Sequence, residues 1–161
     1  MHNFQAHTQK IREEMLKEIG VSSKPYISSG FDEHFAKERP EWIVVNKDGT
    51  KWSDNNFRRL CFNTAYLEVL KEQTREIVRK YMPDGVFFDT IADLPCYCEN
   101  CLADMKKKGL DPNDDADVMR QARDVLNLYL SELNAVVKSI KPDCLIFHNG
   151  GDFPVGRKDR M

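Results

Sequence analysis

With 161 residues, 41% of them hydrophobic and 31% charged, the chain is long enough for one domain with a real core and short for two. A formal net charge of -2 and a pI near 6.1 give no bulk attraction to nucleic acid, and no basic run with interleaved aromatics supplies a local one. No apolar run approaches the length of a membrane-spanning helix, and Met1-His2-Asn3-Phe4-Gln5-Ala6-His7 lacks the charged-then-apolar order of a signal peptide, so a cytoplasmic protein with no membrane partner is expected.

Ile11, Met15, Leu16 and Ile19 recur at helical spacing over residues 4–19, and Gly20 stands where a helix end favours a left-handed residue. Lys24-Pro25-Tyr26-Ile27-Ser28-Ser29 is short, aromatic and β-branched, which predicts a strand ended by Gly30. Residues 30–62 carry no sustained period and read as a long irregular loop. A helix follows from Asn63 or Thr64, either of which suits its cap, with Tyr66, Leu67, Leu70, Ile77, Val78 and Tyr81 mainly on one face. Gly85-Val86-Phe87-Phe88-Asp89 is the next strand. After a second long loop over residues 90–113, Asp114 opens a helix with a broad apolar stripe from Val118 through Ala122, Leu126, Tyr129 and Leu133 to Val137. Cys144-Leu145-Ile146-Phe147-His148 is the last strand.

Two strands are approached in the same way. Tyr81-Met82-Pro83-Asp84 leads into one and Ile140-Lys141-Pro142-Asp143 into the other, each proline stopping the preceding helix. Continuous apolar strands separated by helices predict parallel pairing with both faces covered, and right-handed crossovers then gather the tips at Asp89, His148 and Ser28-Ser29 on one edge. The strand-to-helix loops are long and the helix-to-strand connections short. In α/β barrels such long loops collect on the face that binds substrate.

Asp89, an acid at the tip of an apolar strand, is the candidate catalytic group; its plain alternative is to accept backbone N–H bonds in the turn that follows. The first loop interleaves Phe31, His34, Phe35, Trp42, Trp52 and Phe57 with Asp32, Glu33, Glu38 and Arg39. Aromatic faces beside charged groups suit sugar rings, although the same aromatics also serve to pack a long loop. His34, Trp42, Trp52, Asn63, His148 and Asn149 are the candidate sugar contacts, with capping as the alternative for His148 and Asn149. Five cysteines, three of them within six residues, make a poor disulfide framework because such close neighbours cannot all pair with one another. Cys96, Cys98 and Cys101 offer three thiolates and Cys61 a fourth, a set that suits a structural zinc ion; the alternative is reduced cysteines on a packed loop.

Leu60-Cys61-Phe62-Asn63-Thr64-Ala65-Tyr66, Asp84-Gly85-Val86-Phe87-Phe88-Asp89 and Cys96-Tyr97-Cys98-Glu99-Asn100-Cys101, in this order, resemble the family called hypothetical glycosyl hydrolase 6. That family is allied to α-L-fucosidases and to barrel β-galactosidases with a trimerisation domain. The resemblance covers residues 24–151 and implies a glycosidase of (β/α)8 TIM-barrel type acting on a carbohydrate such as an α-L-fucoside or β-galactoside. It places Asp89 where fucosidase-like enzymes carry their nucleophile, and a similar cysteine loop binds zinc in some barrel β-galactosidases. Carboxyl groups about 5–5.5 Å apart would make hydrolysis retaining, and a wider gap inverting. Asp32, Glu33, Asp93 and Glu99 are the available second acids, unless that group lies on a strand outside this sequence. A full barrel takes about 250 residues, so residues 1–161 are expected to form a single partial barrel domain with parallel strands and long βα loops. Its open edges predict a homo-oligomer or association with the missing part of the barrel. The competing function is a non-catalytic remnant that binds sugar or a partner chain.

Overall fold

In a computed structural model, the structure describes residues 25–150. The elements run β1 (Tyr26–Ser28), α1 (Glu33–Glu38), a 3-10 turn (Pro40–Trp42), β2 (Ser53–Asp54), β3 (Phe57–Arg58), α2 (Tyr66–Tyr81), β4 (Gly85–Ile91), α3 (Glu99–Lys108), α4 (Asp115–Ile140) and β5 (Leu145–Gly150). Among the described residues β1, β4 and β5 form one parallel sheet in the order β1-β4-β5, so the chain is an α/β protein. β2 and β3 make a separate antiparallel hairpin. No helix among the described residues is long and apolar enough to cross a membrane. The helix expected over residues 4–19 lies outside the described residues.

Helix α4 begins where its sequence signals it. The Asp114 carboxylate accepts the Ala116 N–H at 2.8 Å, and acidic Asp115 and Asp117 lie in the positive first turn. Helix α2 starts at Tyr66, slightly later than expected. Thr64 Oγ1 bridges the Cys61 carbonyl, at 2.7 Å, and the Tyr66 N–H, at 3.3 Å, while Asn63 turns away toward α3. Pro83, which follows Met82, prevents the helix from continuing into β4.

Strand alternation assigns the core. Ile27, Val86 and Phe88 point to the face covered by α2 and α4, where they pack with Leu70, Val78, Leu126, Leu133 and Val137. Phe62 stacks on Tyr129 with ring centroids 4.2 Å apart. The buried phenols end on polar partners, Tyr129 Oη donating to Ser29 Oγ at 2.8 Å and Tyr66 Oη to the Ser29 carbonyl at 3.1 Å. Each such large apolar side chain contributes about 1.5–3 kcal/mol by leaving water.

The long loops hold more order than their sequences announce. Residues 30–62 contain α1, the 3-10 turn and the hairpin, and α1 is capped by Asp32 Oδ1, which accepts from His34 N and Phe35 N at 3.0 and 3.1 Å. The second loop contains α3, ended by Gly109 at φ 68, a left-handed conformation that suits glycine. Of the residues of α3 only Cys101 and Met105 are buried, too few to write a visible period into the sequence.

Candidate functional site

Asp89 stands on the sheet face opposite the helices, near the C-terminal end of β4. Both of its carboxylate oxygens are held: Tyr26 Oη donates to Oδ2, and Asn149 Nδ2 donates to Oδ1 at 2.7 Å. Partial burial acts to raise the pKa of this group, but the bonds from Tyr26, Asn149 and the Thr90 amide outweigh it and keep the carboxyl below its ordinary value. The same bond, with burial and the carboxylate charge, pushes Tyr26 up to about 12. At neutral pH the pair is therefore a fixed carboxylate beside a neutral phenol. Tyr26, Phe87 and Phe147 form a stacked row on this face, with centroids 5.7 and 5.0 Å apart.

The backbone departs from regular pairing directly after Asp89. Thr90 adopts φ 60, and the β4–β5 register shifts between Phe88 and Ile91. Bulges of this kind re-aim side chains and gather near functional sites. Close packing holds the bulge. Gly30 N donates to Thr90 Oγ1 at 3.0 Å, and a Cβ added at Gly30 would lie 2.0 Å from the Thr90 carbonyl oxygen, so only glycine fits. That carbonyl accepts from Arg59 Nη1 at 3.0 Å, and the Arg59 guanidinium lies over the rings of Phe31 and Trp52 at 4.8 and 5.4 Å.

The other expected sugar contacts disperse. His148 pairs in register with Phe88, so its ring goes to the helix-covered face. It stacks on Phe88 at 4.8 Å and meets Asn134 Oδ1 through Nε2 at 2.8 Å. Burial pushes its pKa down to about 4, leaving it neutral. The expectation that His148 offers its ring to a ligand beside Asp89 is thus corrected by the two-residue period of the strand: neighbouring side chains leave by opposite faces. Asn149 does reach Asp89, but as its hydrogen-bond donor. Trp42 packs against Phe35 and Tyr66, and exposed His34 faces Glu38 at 3.4 Å. Asn63 Nδ2 donates to Asp104 Oδ2 at 2.9 Å and approaches Cys101 Sγ at 3.8 Å, which ties it to the cysteines. Among the candidate second acids, Asp32 caps α1, Glu33 holds Arg58 and Asp93 pairs with Arg123 at 3.7 Å. Tyr26 escaped sequence reading because its reach depends on strand register: it lies opposite Phe87, and its long side chain reaches the diagonal neighbour two residues on, Asp89.

Cys61, Cys96, Cys98 and Cys101 converge as the sequence suggested. Their sulfurs all lie within 4.8 Å of one another, with Cys61 Sγ 3.6 Å from Cys101 Sγ and 3.9 Å from Cys98 Sγ, and all four residues are buried. Zinc–thiolate bonds of about 2.3 Å in a tetrahedron require sulfur separations of about 3.8 Å, so the set fits that ion. The chain brings the fourth ligand in by local pairing: Cys61 N bonds the Trp42 carbonyl and Tyr97 N the Val45 carbonyl, at 2.8 and 2.9 Å, clamping both cysteine segments to residues 42–45. Within the cluster, hydrogen bonding with Cys101, Cys96 and Cys98, reinforced by burial, holds the Cys61 thiol well above its ordinary range, while bonds with Cys101 and Cys61 pull Cys98 far below it. Cys144 is a separate, fully buried core residue.

A family model described as hypothetical glycosyl hydrolase 6 matches residues 3–90, a span that includes Asp89 and stops short of the cysteine loop. Among solved structures the chain is similar to α-L-fucosidase isoenzyme 2 from Paenibacillus thiaminolyticus, at 37% identity and a TM-score of 0.86 over 92% of this chain and 23% of that one. It is similar in fold to the polyextremophilic β-galactosidase of the Antarctic haloarchaeon Halorubrum lacusprofundi, at 18% identity and a TM-score of 0.75, covering 92% and 30% of the two chains. A stretch of 42 residues is 40% identical to "Probable cysteine protease RD19B" of Arabidopsis thaliana, 26% of this chain and 12% of that protein. The chain thus spans less than a third of each of these relatives.

Proposed function

Because the chain belongs to the hypothetical glycosyl hydrolase 6 family, we propose that it is a segment of a (β/α)8 glycosidase barrel in which Asp89 is the catalytic nucleophile. One observation carries the reading: Asp89 is held ionised by donors on both oxygens, on the sheet face that no described helix covers, beside a strained bulge. A nucleophilic carboxylate must be deprotonated and aimed, and this arrangement serves both needs. The likeness to a fucosidase supports an α-L-fucoside as the first substrate to test and a β-galactoside as the second. In this reading the row Tyr26-Phe87-Phe147 lines the barrel interior, and the chain completes its barrel with further strands or with another copy. Zinc held by Cys61, Cys96, Cys98 and Cys101 would supply a structural cross-link between the loops after β1 and β4, with no part in the bond cleavage.

The test is cleavage of a nitrophenyl α-L-fucoside by the protein assembled with the rest of its barrel. Asp89→Asn should lower kcat by at least about 10³-fold, and undiminished turnover by that variant would overturn the assignment. A second reading, sugar binding without hydrolysis, draws on the engagement of Asp32, Glu33 and Asp93 elsewhere. Saturable binding by the wild type without turnover would favour it.

A further inference from the structure

Two buried donors have no hydrogen-bond partner among the described residues: Arg59 Nε and Gln121 Nε2. Both residues line one small cavity, of about 30 Å³, which Cys61, Cys96 and Cys101 also line. Gln121, on α4, is 3% exposed, and its Oε1 accepts from Lys108 Nζ at 2.8 Å, which leaves the amide nitrogen as the free end. Arg59 uses Nη1 on the Thr90 carbonyl and lays its plane against Phe31 and Trp52, and no ion pair among the described residues includes it. Buried N–H groups in folded proteins are nearly always paired. The coincidence of two that are not, one of them cationic, at the wall of a four-cysteine cluster calls for an acceptor.

Neutral thiols are poor acceptors, whereas thiolates take charge-assisted hydrogen bonds. Four thiolates around one divalent cation leave two negative charges in a buried site, and buried charge requires an opposite charge or donors close by. The cavity therefore joins a cation that lacks an anion to a cluster that becomes anionic when it binds metal. Resting on the zinc reading above, we propose that Arg59 and Gln121 are positioning residues for the metal centre. They neutralise and hydrogen-bond the metal-bound thiolates across this cavity, which has room for a bridging water. Arg59 thereby links the two regions, since its other end holds the bulge behind Asp89.

The experiment measures zinc affinity by chelator competition, together with the sulfur-to-cobalt charge-transfer band of the cobalt-loaded protein. Gln121→Met is the milder variant because it nearly keeps the side-chain volume; it removes the Nε2 donor together with the Oε1 acceptor, but Lys108 Nζ keeps its bond to Asp124 Oδ2 at 2.7 Å. Both Gln121→Met and Arg59→Met should weaken zinc by about tenfold or more and move the cobalt band, Arg59→Lys should recover part of the loss, and the metal-free melting temperature of Gln121→Met should be unchanged. A wild type that takes up one zinc while Gln121→Met and Arg59→Met bind within twofold of it would overturn this inference and leave the zinc site standing. A wild type that takes up no zinc would overturn the zinc reading itself.

Discussion

On the helix-covered face of the sheet, Val86 and Phe88 are 2% and 0% exposed, whereas on the opposite face Phe147 and Leu145 remain 53% and 66% exposed. Both faces carry aromatic and aliphatic side chains from the same strands. On the first face they are sealed by two amphipathic helices and their polar ends are matched, as with Tyr129 on Ser29. On the second, the aromatic row ends at a carboxylate fixed by a phenol and an amide. The covered face holds the chain folded. The open face has the makeup of a binding or assembly surface, since apolar surface of this kind marks one when left uncovered.

Substitutions should separate the faces. The largest effect on stability is expected from Leu133→Ala on the covered face: a residue buried completely in the main core should lose about 2–5 kcal/mol in urea unfolding. A loss below 1 kcal/mol would mean that α4 is not sealed against the sheet. Next comes His148, whose folded pKa of about 4 lies below its unfolded value because burial disfavours the charged ring. A depressed pKa contributes stability that is present above the unfolded value and lost as pH falls toward the folded one. The chain should thus lose up to about 3 kcal/mol between roughly pH 6.5 and 4 through this residue, and His148→Gln should flatten that limb of the stability curve.

On the open face, under the role proposed for Asp89, the effects should fall on chemistry. Tyr26→Phe removes a donor from Asp89, so the carboxyl pKa should rise, the acid limb of the pH–rate profile should move to higher pH, and kcat should drop about tenfold. An unmoved acid limb would show that Tyr26 has no hold on the reacting group. Phe147→Ser in the 161-residue chain should change stability by less than about 0.5 kcal/mol, because the ring is more than half exposed. A large loss there would show that another segment or copy already covers this face.

Much of this architecture was legible in the residues. Asp114 as a cap, the stripe from Val118 to Val137 and the apolar runs of β4 and β5 all announced their elements, because backbone geometry imposes periods of 3.6 and 2 on any helix or strand with one buried side. The cysteine cluster was legible too, since loops after adjacent parallel strands must lie side by side. Helices α1 and α3 were not, being too short or too exposed to repeat a pattern. The face that His148 takes was not legible either, because an acid at one strand tip and a histidine at another look equivalent until the pairing of Phe88 with His148 is known.

The sequence by itself determined the three strands of the parallel sheet and the long helices α2 and α4, which faces of those helices are apolar, and that an acid at a strand tip lies beside a loop of thiols. Only the tertiary structure decided that Tyr26 and Asn149 hold Asp89, that His148 turns away from it, and that Arg59 and Gln121 share a cavity with the cysteines. The reason is physical: periodicity is a local consequence of backbone dihedrals, whereas register between strands and the meeting of distant loops are set by packing of the whole, which leaves no spacing in the chain to read.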